Sequence, residues 1–191
     1  MKQAKTLSPA ELKRVLAVAS ADRHAERNKL AILLSFYAGL RVKEIAALTI
    51  GDVFTKSGDV KSFIHLTAAQ TKGSEGRTIV LGSKLIEAMR TYYILANLKQ
   101  QQEVAKPLLR SQKGTAFSAN SLCQLFAHLY AAAGLEGASS HSGRRTFITN
   151  LSQKGVSAKV LMTLAGHKNL STTQRYIDVN DTMLLQAVEL A

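Results

Sequence analysis

Thr49-Ile-Gly-Asp-Val-Phe-Thr55, Val60-Lys-Ser-Phe-Ile-His-Leu-Thr67 and Arg77-Thr-Ile-Val-Leu81 are the short β-branched runs of this chain, and their reading decides the fold. Lys56-Ser-Gly-Asp59 and Gln70-Thr-Lys-Gly-Ser-Glu-Gly76 separate them with turn-forming residues. The spacing predicts a three-stranded antiparallel meander with two turns. On either side the texture is helical. Ser8-Pro-Ala-Glu11 combines an N-cap serine, proline at the first helical position and glutamate two further on, and an apolar periodic run follows to Ala19. Further helices are predicted over about 24–38, ending at Gly39, and over 42–48, 83–98, 119–133 and 142–154. Another runs from a Ser157 cap to Ala165 and stops at Gly166. The expected fold class is α+β, mostly α-helical with a small three-stranded antiparallel sheet on one edge.

A chain of 191 residues with 46% hydrophobic content can close one core without disulfides or metal. Cys123 is the sole cysteine, which excludes an internal disulfide and fits a reducing compartment. The longest apolar stretch, Leu30 to Leu40, is too short for a bilayer, so no membrane is expected as a partner. Charge narrows the field. The net charge is +12, and from Lys106 to Arg175 nine basic residues face one acidic residue, Glu136. Such a field favours a polyanion, most often DNA or RNA.

Six dispersed residues carry the chemistry: Arg41, Lys72, His141, Arg144, His167 and Tyr176. Arginine suits a phosphodiester because its planar fork binds two oxygens and stays charged. His141 and Arg144 lie three apart near a helix start and share a face. His167 follows Gly166 at a helix exit, and Tyr176 follows in Ser171-Thr-Thr-Gln-Arg-Tyr176 on a short polar helix. Lys72 sits in the second turn of the meander. Taken singly, each has a plainer reading: a solvated helix edge, an ion pair of Arg41 with Glu44 one turn on, a turn lysine, a packing tyrosine.

The order and context of these segments resemble the tyrosine recombinases, or phage integrase family, along essentially the whole chain. Ala38-Gly-Leu-Arg41-Val-Lys-Glu44 resembles the family's first arginine box, and Thr71-Lys72-Gly73 its β-hairpin lysine. His141-Ser-Gly-Arg144-Arg-Thr resembles its His-x-x-Arg box. Leu164-Ala-Gly-His167 and Thr172-Thr-Gln-Arg-Tyr176 resemble its histidine and nucleophile boxes. Two positions depart. Gly143 stands where leucine is usual, which suggests looser local packing, and Asp178 stands where histidine is common.

The resemblance implies the catalytic fold of DNA breaking and rejoining enzymes, with residues 1–180 as the catalytic domain, 181–191 as a tail helix and no N-terminal core-binding domain. It implies a site-specific recombinase that cuts and rejoins double-stranded DNA through a 3′-phosphotyrosine. Tyr176 would be the nucleophile, Arg41 and Arg144 the stabilisers of the transition state, and His167 a donor to a non-bridging oxygen. Lys72 would be the general acid, His141 a base or a phosphate ligand, and Glu44 would orient Arg41. The reaction requires no cofactor and no metal. A tetramer on DNA is the family expectation, with Met183, Leu184, Ala187, Val188 and Ala191 forming a tail stripe that docks on a neighbour or on its own domain. Accessory DNA-bending proteins and a bacterial or phage setting in the nucleoid belong to the same expectation. A type IB topoisomerase, a recombinase-derived DNA-binding protein and a basic RNA-binding domain are the rival readings.

Overall fold

The computed structural model describes residues 3–71, 75–98, 104–177, 179 and 181–189. Helix α1 (Pro9–Ser20) begins as its capping box requires: the Ser8 Oγ accepts from the Glu11 N–H, and the Glu11 carboxylate accepts from the Ser8 N–H at 2.9 Å. Helix α2 (Ala25–Ala38) is the centre of the domain. Leu30, Ala31, Ile32, Leu34 and Phe36 are all buried, because α1, α5 (Ser83–Leu95) and α7 (Ser142–Gln153) pack around it. It ends at Gly39 in the left-handed region, φ 61°, where a Cβ would come within 2.5 Å of the Phe147 ring. The chain then turns into α3 (Val42–Ala47). Helices α6 (Ala119–Ala132), α8 (Ala158–Ala165), α9 (Leu170–Gln174) and α10 (Asp181–Val188) complete the helical set.

The sheet differs from the expected meander. Among the described residues it has two strands, β1 (Phe63–Leu66) and β2 (Arg77–Val80), paired antiparallel with Ile64 opposite Ile79 and both buried. The first expected strand, Thr49–Thr55, instead contains a one-turn helix, α4 (Ile50–Val53). Thr49 Oγ1 accepts from the Asp52 N–H at 3.2 Å, and the Asp52 carboxylate accepts from the Thr49 N–H at 2.8 Å. This reciprocal cap satisfies donors that a strand would have needed a neighbour to satisfy. The Ile50 and Gly51 N–H groups bond to the Lys106 and Val104 carbonyls, so the segment is held by the distant 104–107 connection. Only an isolated bridge, Phe54 to Val60, remains of the first pairing.

Gly143 also departs from expectation. A Cβ there would lie 2.7 Å from Ser35 Oγ, 2.9 Å from Ser35 Cβ and 3.1 Å from the Phe36 nitrogen. The glycine lets α7 approach α2 more closely than any other residue would allow. The packing is tight, not loose. The tail forms α10, with Leu184, Leu185 and Val188 exposed; the Met183 side chain, Ala191 and Asp178 lie outside the described part.

Candidate active site

Helix α8 ends in three successive carbonyls, and each receives a different arginine. Arg77 Nη1 donates to Leu164 O at 2.8 Å, Arg144 Nη2 to Ala165 O at 2.5 Å, and Arg41 Nη2 to Gly166 O at 3.2 Å. A helix C-terminus concentrates unpaired carbonyls and partial negative charge, so it is a natural seat for cations. Arg144 also donates to Gly39 O at the end of α2, at 2.5 Å, which ties two helix exits together through one guanidinium. Gly166 adopts φ 61°, and a Cβ on it would fall 2.5 Å from Arg77 Cδ. Only glycine satisfies both the turn and the arginine beside it.

Behind the arginines lies Glu44, fully buried. Its Oε1 accepts from Arg41 Nη1 at 3.0 Å and Arg77 Nε at 2.9 Å, and its Oε2 from the Arg41 N–H at 2.7 Å and Arg77 Nη2 at 2.8 Å. Burial pushes the carboxyl upward, but bonding to Arg77 and Arg41 outweighs it, and the net shift is downward. Glu44 is therefore ionised at neutral pH and holds Arg41 in place. Three guanidiniums against one carboxylate leave two positive charges uncompensated. Arg144, almost wholly buried, is drawn down to about 9 by desolvation and then by the fields of Arg41 and Arg77, and stays a cation. Each of Arg41 and Arg144 spends two of its donors on the protein in these bonds, leaving the rest of its fork for a ligand.

His167, the next residue after this seat, is drawn down to about 4 by desolvation and then by Arg144, Arg41 and Arg77. Its ring is neutral at pH 7. Nδ1 lies 2.9 Å from Thr173 Oγ1, and the ring stacks on Tyr176 with centroids 5.8 Å apart and planes 24° from parallel. Tyr176 sits two residues beyond the end of α9, on a turn rather than on the expected helix. His141, the exposed N-cap of α7, lines with Arg144, Arg145, Arg175 and Tyr176 a cavity of about 270 Å³. Arg41, Arg77 and His167 line a second cavity of about 400 Å³, to which Thr71 and Glu75 also contribute. The stacked rings belong one to each cavity, so the two open side by side.

Five of the six residues singled out in the sequence thus come together; Lys72 lies outside the described residues. Its neighbours are held in place. Thr71 Oγ1 hydrogen-bonds to the Ala68 and Glu75 carbonyls, and Lys43 Nζ donates to Thr71 O at 2.9 Å. Sequence reasoning missed Arg77, read there only as a strand residue. It also missed Thr173 and Arg145, whose buried Nε has no hydrogen-bond partner. The pair Arg144-Arg145 and the threonines before Tyr176 were visible, but nothing local marked which side chains turn inward. No group of three or more His, Cys, Asp or Glu that could hold a metal occurs among the described residues, and no described helix is long and apolar enough to cross a membrane.

Two uncompensated positive charges thus stand at a helix exit, next to a tyrosine whose ring stacks on His167, an arrangement that can hold an anion beside a phenol. The chain belongs to the phage integrase family, whose profile matches residues 5–183. It is 31% identical over 190 residues to tyrosine recombinase XerA of Thermococcus kodakarensis, covering 98% of this chain and 62% of that protein. Tyrosine recombinase XerD of Neisseria meningitidis serogroup B is 29% identical over 181 residues, covering 94% of this chain and 60% of that protein. The chain thus spans less than two thirds of the length of these relatives. The crystal structure of XerA recombinase superposes with a TM-score of 0.76 at 24% identity, covering 100% of this chain and 66% of that one, which shows the shared fold. XerH site-specific recombinase, solved bound to its difH substrate in a pre-cleavage complex, superposes with a TM-score of 0.71 at 25% identity over 98% of this chain and 54% of that one.

Proposed function

We propose that this domain cuts and rejoins double-stranded DNA through a covalent 3′-phosphotyrosine and so performs site-specific strand exchange. The observation that carries this is the seating of Arg77, Arg144 and Arg41 on the Leu164, Ala165 and Gly166 carbonyls, directly before His167 and its stacked partner Tyr176. The surplus of two positive charges suits a phosphodiester monoanion and suits better the doubly charged pentacoordinate transition state, which is the condition for catalysis rather than mere binding.

Tyr176 Oη attacks phosphorus, the bond from phosphorus to the 5′-oxygen breaks, and the strand is left joined to the protein at its 3′ end. The phenolic proton passes to His141, which lines the same cavity. Lys72 protonates the departing 5′-oxygen. Arg41 and Arg144 hold the non-bridging oxygens, neutral His167 donates to one of them, and Glu44 fixes Arg41. Rejoining reverses the steps with a 5′-hydroxyl from a second duplex, and the retained phosphoester makes an energy source unnecessary.

Residues 1–180 act as the catalytic unit. The exposed apolar side chains of α10, Leu184, Leu185 and Val188, dock on a neighbouring subunit in a tetramer assembled on nucleoid DNA. A supercoiled plasmid bearing two candidate sites tests the reading. Recombinant joints that vanish with Tyr176→Phe support it. Complete relaxation without joints identifies a topoisomerase instead.

A further inference from the structure

We propose that Thr173 is a positioning residue for His167: its hydroxyl donates to Nδ1, fixes the imidazole proton on Nε2, and so makes the ring a hydrogen-bond donor towards the bound phosphodiester. The inference rests on the proposed function and assigns a task to a residue that the proposed mechanism leaves idle. Thr173 is fully buried at 0% exposure, unusual for a polar side chain on a five-residue surface helix. Its Oγ1 lies 2.9 Å from His167 Nδ1, and it makes no other side-chain hydrogen bond among the described residues.

A hydroxyl brings one proton and two lone pairs, and a neutral imidazole brings one N–H and one bare nitrogen. Were the proton on Nδ1, it would point at Thr173 Oγ1, and the threonine O–H would be sealed in the interior with no acceptor. With Thr173 donating, both groups are satisfied and the proton resides on Nε2. Burial and the three surrounding arginines keep the ring neutral, so the choice of tautomer decides whether Nε2 donates or accepts. An accepting Nε2 would face the phosphate oxygens lone pair to lone pair.

The same residue also fixes the nucleophile's backbone, since the Tyr176 N–H donates to the Thr173 carbonyl at 2.9 Å. One residue therefore sets both rings of the stacked pair. Hydroxyl to histidine and carbonyl to tyrosine give the two residues, whose rings stack at 5.8 Å, a common reference.

Nitrogen-15 NMR of the free full chain reads the tautomer directly, with no DNA present. The expected spectrum has the His167 proton on Nε2 and a bare, hydrogen-bonded Nδ1; a proton on Nδ1 overturns the proposal. Single-turnover cleavage of a nicked suicide duplex supplies the second reading. Thr173→Val should lower the cleavage rate about 10- to 100-fold, as expected when an electrostatic donor in a reaction site is misaligned, with the loss in the rate constant rather than in Kd. Thr173→Ser, which keeps the hydroxyl, should recover most of that rate. A valine variant cleaving within about threefold of the parent, less than 1 kcal/mol of barrier, overturns the proposal, as does a serine variant no better than valine. Absence of any adduct with the parent protein refutes the proposed function instead, and the NMR result still stands on its own.

Discussion

Replacing Glu44 with glutamine tests the frame on which the arginines are hung. The carboxylate is fully buried and accepts four hydrogen bonds, three from guanidinium nitrogens of Arg41 and Arg77 and one from the Arg41 backbone. Glutamine keeps the shape but removes the charge, and it turns an NH₂ group towards N–H donors on one side. Breaking a buried ion pair by neutralising one partner costs about 3–5 kcal/mol, because the remaining charges stay buried and unpaired. In a domain of this size that corresponds to a fall in Tm of about 6–20 °C. Urea and thermal unfolding give the loss, and a cycle with Arg77→Met isolates the pair, with a coupling of about 0.5–3 kcal/mol expected. The sign with pH follows from the lowered carboxyl: the stabilisation is complete above the ordinary value of 4.5 and is lost as pH falls below it through the folded value. The parent's stability should therefore fall in acid more steeply than that of Glu44→Gln. Added phosphate should stabilise the variant more than the parent, since it supplies the missing counter-charge. A loss under about 1 kcal/mol, typical of a surface pair, would refute the buried-anchor account.

Three further outcomes follow from the geometry. His167 should titrate near 4 in the free protein by NMR, so that its contribution to stability is present above the ordinary value of 6.5 and declines between there and 4; a midpoint at or above 6.5 contradicts the site electrostatics. Gly143→Ala should destabilise by about 1–3 kcal/mol in urea, because the new Cβ meets the Ser35 side chain and the Phe36 backbone and neither can retreat far; unchanged or raised stability contradicts the close α2–α7 approach. Arg145→Ala should weaken duplex binding and reduce the slope of log K against log salt by about one, because Arg145 lines the cavity beside Tyr176; an unchanged slope shows that its guanidinium meets no phosphate.

The parts of the fold that were legible in the sequence are those specified by adjacent residues. Ser8 with Glu11, Gly39 and Gly166 announce helix ends through local cap chemistry and backbone freedom, and each stands where that chemistry places it. Thr49–Thr55 misled because its β-branched residues favour a strand, while its donors are claimed by Asp52 within the segment and by carbonyls more than fifty residues away. Gly143 misled for a related reason: a missing side chain looks like lost packing until Ser35 is seen occupying the space. At the site, residue types announced phosphate chemistry, yet the support behind them is non-local. Arg77 reaches Glu44 across 33 residues and Leu164 across 87, and no window of sequence shows that a strand residue buttresses two helix ends.

The most direct test of the central claim is to trap the covalent complex on a suicide duplex, digest it and locate the nucleotide-bearing peptide by mass spectrometry. The account predicts a single adduct on Tyr176, joined to a 3′-phosphate with a free 5′-hydroxyl opposite, and none with Tyr176→Phe. An adduct on another side chain, or on the 5′-phosphate, would contradict it.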